Sequence, residues 1–226
     1  MRLGVLFSGG KDSTLALMKA MQSNEVVCLI TAVSKNPESY MFHTPNIELT
    51  KLQAEAIGLP LIQKVTEGVK EEELKDLKEA IKKSKEKFGI EGIVTGAIAS
   101  NYQKSRIQKI CDDLKLKCIN PLWGMDQKKV LEELVKNKFE VIIVGVFAKI
   151  FDESWLGRKI DEKTVEELLK LEKKEKINPA GEGGEIETLV LNAPFFKKRL
   201  KIIKTEKIME KDSGILKIKR AELERK

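Results

Sequence analysis

The sequence predicts an α/β protein: a doubly wound, mostly parallel sheet with a smaller C-terminal α+β domain. Three observations predict it. Over the first 150 residues, short apolar and β-branched runs alternate with helical patterns, an alternation that a parallel sheet with right-handed crossovers satisfies. A glycine-rich turn, Ser8-Gly9-Gly10-Lys11-Asp12-Ser13, joins the first run to the first helical pattern, at the position where such sheets bind phosphate. After about Ile150 the alternation gives way to one helix, a glycine-rich loop and alternating strands, the pattern of a separate α+β unit. The expected domains are therefore 1–150, which holds nucleotide, and 151–226, which holds the second reactant.

Taken in order, the apolar run Leu3 to Phe7 is a first strand, and Leu15 to Met21, apolar nearly all round, is a helix packed on the sheet. Val26 to Val33 reads as a buried parallel strand. A polar loop, Ser34 to Pro45, carries Tyr40, Phe42 and His43, the only histidine. A lone histidine is more often structural, but this one follows a strand expected to end at the nucleotide edge, and the two readings balance. A helix from Ile47 to Ile57 ends at Gly58 and Pro60, and Leu61 to Val65 is a third strand. Leu74, Leu77, Ile81 and Phe88 recur at helical spacing between Glu71 and Phe88. Gly92 to Gly96 is a fourth strand, Ile107 to Leu114 a helix, Lys117 to Ile119 a fifth strand, Lys128 to Lys136 a helix, and Val141 to Phe147 a further buried strand of the same sheet. In the second domain, Thr164 to Lys173 is helical, and strands are expected at 189–191, 200–208 and 215–218 around a turn at 212–214.

The glycine-rich turn is suited to an anion. Gly9 and Gly10 let the backbone curl so that several amides and the positive end of a helix point one way. Lys11 adds a charge, and Ser8 and Ser13 add hydroxyl donors. Asp12 suits a phosphate site only if a divalent cation lies between, which points to a magnesium–nucleotide complex with Asp12 as metal ligand. If the first strand lies beside the fourth, the Thr95-Gly96-Ala97 turn faces this loop, and Gly96 lets the backbone approach the nucleotide. Gly96 and Ala97, with Val33 at the end of the second strand, complete the expected cofactor-binding set. Val5 stands where a Walker A loop needs its first glycine, and the spaced glycines of a dinucleotide fingerprint are absent.

Composition excludes some classes. No run approaches the roughly 18 apolar residues of a membrane span, and no secretory signal is readable, so a cytoplasmic protein is expected. Cys28, Cys111 and Cys118 lack CxxC spacing and read as core thiols rather than a zinc or disulfide framework. The 34% charged content, mostly Lys and Glu, is the balance found in proteins from very hot environments. The net charge of +7 is concentrated at the end, where residues 197–226 hold twelve Lys and Arg against five Asp and Glu. That run is either a solvated face or a docking face for an acidic partner or RNA. A second constellation, Glu182, Glu185 and Glu187, lies on a loop too rich in glycine for a helix. Such crowding of carboxylates suits a cation or a positively charged substrate, although a solvated turn explains it equally well.

The first motif resembles the PP-loop of the N-type ATP pyrophosphatases, which implies a Rossmann-like sheet and cleavage of ATP between its α and β phosphates. Three further stretches narrow the resemblance: Gly96-Ala-Ile-Ala-Ser-Asn-Tyr-Gln-Lys-Ser-Arg106, Pro121-Leu-Trp-Gly124 and Asn178-Pro-Ala-Gly-Glu-Gly-Gly-Glu-Ile-Glu-Thr188. With the first motif they are similar to the archaeal diphthine–ammonia ligase family over nearly the whole chain, departing from it at Ile186, where an aromatic residue is common. The resemblance implies that diphthine on translation elongation factor two, ammonia and ATP give diphthamide, AMP and pyrophosphate through an acyl-adenylate. It implies catalytic roles for Lys11, Asp12, Glu182 and Glu185. His43, Tyr102, Arg106, Trp123, Glu182, Glu185 and Thr188 form the implied substrate-binding set. Diphthine carries a quaternary ammonium, for which Tyr102, Trp123 and Trp155 with Glu182 and Glu185 are candidate aromatic and acidic contacts. Free ammonia is the implied nitrogen source, and a homo-oligomer is compatible with the sequence. Two alternatives stay open: a PP-loop enzyme that thiolates RNA or forms lysidine, which the acidic loop and the lack of CxxC pairs make the poorer fit, and a non-catalytic ATP sensor.

Overall fold

The computed structural model describes residues 1–36, 45–69 and 71–226. The expected alternation is present. β1 (Arg2–Leu6), β2 (Glu25–Ser34), β3 (Leu61–Thr66), β4 (Gly92–Val94) and β5 (Lys117–Ile119) form a parallel sheet in the order β3-β2-β1-β4-β5. β1 pairs with both β2 and β4, so the strand order reverses between β1 and β4, where an open sheet leaves a crevice at its carboxyl edge. Helices cover both faces. α1 (Lys11–Met21), α2 (Thr50–Ile57) and α5 (Gln127–Lys136) pack on one face with Leu15, Ala16, Leu17, Ala56, Val130 and Leu131 buried. α3 (Glu73–Phe88) and α4 (Asn101–Asp113) pack on the other around Leu77, Ile81, Ile93, Ile107 and Cys111. α4 begins six residues before the predicted Ile107, because Ser100 caps it by accepting from the Gln103 amide at 3.3 Å.

One strand changes sheet. Residues 141–147 were expected in the parallel sheet, but β6 (Glu140–Val146) runs antiparallel between β7 (Ile186–Asn192) and β9 (Ser213–Arg225), and β8 (Lys198–Glu210) completes the order β7-β6-β9-β8. A fully buried apolar run carries no signal of strand direction, and the long-range pairing with β7 decides it. α6 (Glu162–Glu175) is capped by Asp161 and packs on α5. The basic C-terminal run is the β8–β9 hairpin, and much of its charge is balanced locally, as by Arg199–Glu224, Lys201–Glu224 and Lys219–Glu206. Among the described residues, no helix is long and apolar enough to cross a membrane.

Candidate active site

A cavity of about 440 Å³ opens at the switch point between β1 and β4, a volume within the range of small-molecule sites. One wall is the loop after β1, with Ser8, Gly10, Lys11, Asp12 and Ser13. A second is Thr95, Gly96, Ala97 and Ser100, and a third is the segment Gly181 to Gly184 with Glu187 and Thr188. Both parts of the chain therefore contribute to one site.

The phosphate-type loop is held from outside. Gly9 has φ +79°, and a Cβ there would lie 2.1 Å from Gln53 Oε1, so only glycine fits. Gln53, fully buried on α2, donates from Nε2 to the carbonyls of Gly9 and Val190, both at 2.8 Å. The Val190 amide also donates to Gly9 O at 3.0 Å, and the Lys11 amide donates to Thr188 Oγ1 at 3.1 Å. β7 thus braces the loop through Thr188 and Val190. Thr188, read from the sequence as substrate-binding, is 4% exposed and engaged with the loop backbone. Within the loop, Ser13 Oγ donates to Gly10 O at 3.2 Å and lies 3.2 Å from Ser8 Oγ. The Asp12 and Ser13 amides stand in the first turn of α1, where no intrahelical acceptor exists, so the helix presents donors and its positive end to the cavity. Gly96 has a second use besides the expected one: a Cβ on it would lie 2.8 Å from the backbone of Asp12 and Ser13, so its bareness lets the β4 turn seat against α1.

The electrostatics centre on Lys11, Asp12 and Glu187. Lys11 is 3% exposed and donates from Nζ to Asp12 Oδ2 at 2.8 Å. Asp12 Oδ1 is buried without a hydrogen-bond partner among the described residues, an arrangement that a cation would relieve. No group of three or more His, Cys, Asp and Glu suited to a metal gathers among the described residues. A cation at Asp12 would therefore take most ligands from phosphate oxygens and water, as magnesium does. Glu187, noted in the sequence only as part of an acidic loop, lies on β7 and lines the cavity. Burial pushes its carboxyl up to about 7, Lys11 draws it down and Asp12 pushes it up. It is poised to exchange a proton near neutrality.

The other sequence candidates separate. Glu182 lines the cavity and accepts from the Ala99 and Ser100 amides, both at 2.9 Å, tying the glycine-rich loop to the start of α4. Glu185 is outside the lining and accepts from the Asn178 amide and side chain at 2.9 and 2.7 Å. Ile30 and Ala32 line the cavity where Val33 was expected, because successive strand residues face opposite sides. Tyr102 and Arg106 lie on the outer part of α4, with the guanidinium 3.5 Å from the ring centroid and 2.6 Å from Glu71. Trp123 carries Lys104 Nζ 3.9 Å from its centroid. Trp155 is 7% exposed in the core, edge-on to Phe151, and belongs to no aromatic site at the cavity. His43 lies outside the described residues. Gln53 and Thr95 escaped the sequence reading. Gln53 looked like one polar position on a helix, and Thr95, whose Oγ1 donates to Asn120 Oδ1 at 2.6 Å, lay inside a turn valued for its glycine.

Two consequences follow from these placements. Gln53→Ala leaves the buried Val190 carbonyl without its side-chain donor and frees the loop, so a loss of about 1–3 kcal/mol is expected in urea denaturation, together with a raised KM for ATP. An unchanged KM would make Gln53 a purely structural residue. Trp155→Ala, by contrast, is expected to cost about 3–5 kcal/mol of stability, with the KM values of the folded fraction unaltered.

A parallel sheet whose switch point holds a glycine-rich loop, a buried lysine and a carboxylate oxygen without a partner among the described residues places the chain among open-sheet α/β proteins, which take their ligands at the strand-order reversal. Comparison with known proteins is specific. Residues 1–118 match the family described as diphthamide synthase N-terminal domain, and residues 126–223 match diphthamide synthase C-terminal domain. The diphthine–ammonia ligase of Rattus norvegicus is 34% identical over 229 residues, covering 92% of this chain and 85% of that protein. The human protein of the same name is 32% identical over 229 residues with the same coverage. Among solved structures, the predicted subunit of tRNA methyltransferase from Methanocaldococcus jannaschii aligns with a TM-score of 0.46 and 21% identity, covering 86% of this chain and 98% of that one. The chain belongs to the diphthamide synthase family.

Proposed function

We propose that this chain is an ATP-dependent, AMP-forming ligase that amidates diphthine with ammonia, its substrate being diphthine on translation elongation factor two. The observation that carries the reading is the sharing of one cavity by the phosphate-type loop and the acidic β7 segment, in a chain whose relatives are named diphthine–ammonia ligase. An amide ligase must convert a carboxylate oxygen into a leaving group. Adenylation does this, and the loop amides with Lys11 offer positive charge to the departing pyrophosphate. Magnesium, held by Asp12, would supply further charge neutralisation there. Facing the loop, Glu187 would take the proton that ammonium must lose before it attacks the acyl-adenylate, and its value near 7 suits that transfer.

Glu182 and the glycines around it would shape the side of the cavity that receives the diphthine carboxyl group. The quaternary ammonium would lie further out, toward Tyr102 and Trp123, whose faces already hold cationic groups of this chain. An RNA substrate is disfavoured by the two carboxylates, Glu182 and Glu187, in the cavity wall. The basic β8–β9 hairpin is the candidate docking face for the protein substrate. The nitrogen source is tested with 15N-ammonium, ATP and diphthine-bearing elongation factor two. Label should appear in the factor in proportion to AMP formed; AMP formation with unlabelled product would rule out ammonia as the nucleophile.

A further inference from the structure

Away from the cavity, two thiols share one hydrophobic cluster at the edge of the parallel sheet. Cys111 sits on α4, fully buried, one turn beyond Ile107, which lines the cavity. Cys118 sits on β5, the edge strand, and is partly exposed. The turn between them is tight: the Leu116 amide donates to the Cys111 carbonyl at 2.8 Å, and Lys115 takes φ +54°, which folds β5 back beside the helix end. Both thiols belong to the same hydrophobic cluster beneath α4, and Asn120 Nδ2 donates to Cys118 Sγ at 3.6 Å. Cys28 lies on β2, fully buried and separated from β5 by β1 and β4 in the sheet.

We propose that Cys111 and Cys118 are a redox modification site that closes reversibly to an intramolecular disulfide, with a peroxide as oxidant. The two residues have distinct roles. Cys118 is the reachable thiol, and the neighbouring Cys111 thiol and the Asn120 side chain favour its thiolate, holding it at about 7, whereas Cys111 is pushed up by the neighbouring Cys118 and by burial. The Cys118 thiolate attacks peroxide: an S–O bond forms, the O–O bond breaks, and hydroxide leaves to take up a proton as water. The Cys111 thiol then attacks the sulfenic sulfur, an S–S bond forms, the S–O bond breaks, and a second water is released. Two thiols are oxidised and one peroxide is reduced. The bridge spans residues 111–118 only, so it constrains the unfolded chain little; its effect is to clamp the end of the helix whose first turn lines the cavity onto the sheet edge.

The test is intact-mass analysis of the full chain after hydrogen peroxide, quenched with N-ethylmaleimide under denaturing conditions. The untreated chain should take three adducts. The oxidised chain should take one and lose two hydrogens, a digest should place the link between Cys111 and Cys118, and dithiothreitol should restore three adducts. Cys28→Ser should still form the link, and Cys118→Ser should not. Three adducts after treatment, Cys118 recovered as sulfinic acid beside an alkylated Cys111, or a link between two chains would each overturn the proposal.

Discussion

Lys11→Ala is expected to lower ATP-dependent pyrophosphate release by roughly 10²–10³-fold or more, the loss seen when one preorganised charge at a leaving group is removed. Among the described residues, Lys11 is the only full positive charge in the lining of the cavity, and burial makes its field stronger there than in water. Its amide is already committed to Thr188, so the side chain is what it can offer to phosphate. The substitution also strands Asp12, which loses its partner at 2.8 Å. Lys11→Arg keeps the charge and is expected to recover part of the activity. Pyrophosphate release, measured beside circular dichroism to confirm folding, decides the matter. Full activity in a folded Lys11→Ala chain would remove the loop from the chemistry.

Glu187→Gln is expected to lose activity by about 10²–10⁴-fold, the usual contribution of a positioned base, while gaining stability. In the parent chain, the rate should fall as pH drops below about 7, because protonation removes the base. The stability effect has the opposite pH dependence. The folded state holds the Glu187 proton to about 7, against an ordinary carboxyl value of 4.5, so it binds more protons than the unfolded chain between these values. Stability therefore declines as pH rises from about 4.5 through about 7, by roughly 3 kcal/mol at the upper end. Gln carries no charge to bury, so Glu187→Gln should match the parent near pH 4 and exceed it at pH 8 in chemical denaturation. A residue kept at a stability cost marks a functional site. Equal stability at pH 8 with full activity would show that Glu187 is neither strained nor catalytic.

The fold was largely legible because each parallel strand is a short β-branched run bounded by glycine, proline or a helical period. The pairing of β1 with β4, which the sequence reading posed only as the condition for the two glycine turns to face each other, is present. What the sequence could not give was pairing partner. β6 is as apolar as a central parallel strand, and its direction is revealed by its long-range pairing with β7 and β9. The same limit governs the site. Lys11, Asp12, Gly96 and Glu182 announce themselves through local spacing, and they meet at the cavity. Gln53 acts across 44 positions on Gly9 and 137 on Val190, a relation with no local trace. Glu187 lies two residues from Glu185, yet β7 aims one into the cavity while Asn178 holds the other outside it. Trp155 misled through its residue type, since an aromatic near a motif is also what fills a core.

The most direct measurement is the product of ATP turnover with magnesium and ammonium, with and without an elongation factor two already carrying diphthine. AMP and pyrophosphate should appear only when that factor is present, and the factor's mass should fall by the difference between OH and NH2. AMP release that ignores the factor but responds to bulk transfer RNA with a nitrogen or sulfur donor, or ATP bound and released intact, would contradict the ligase reading.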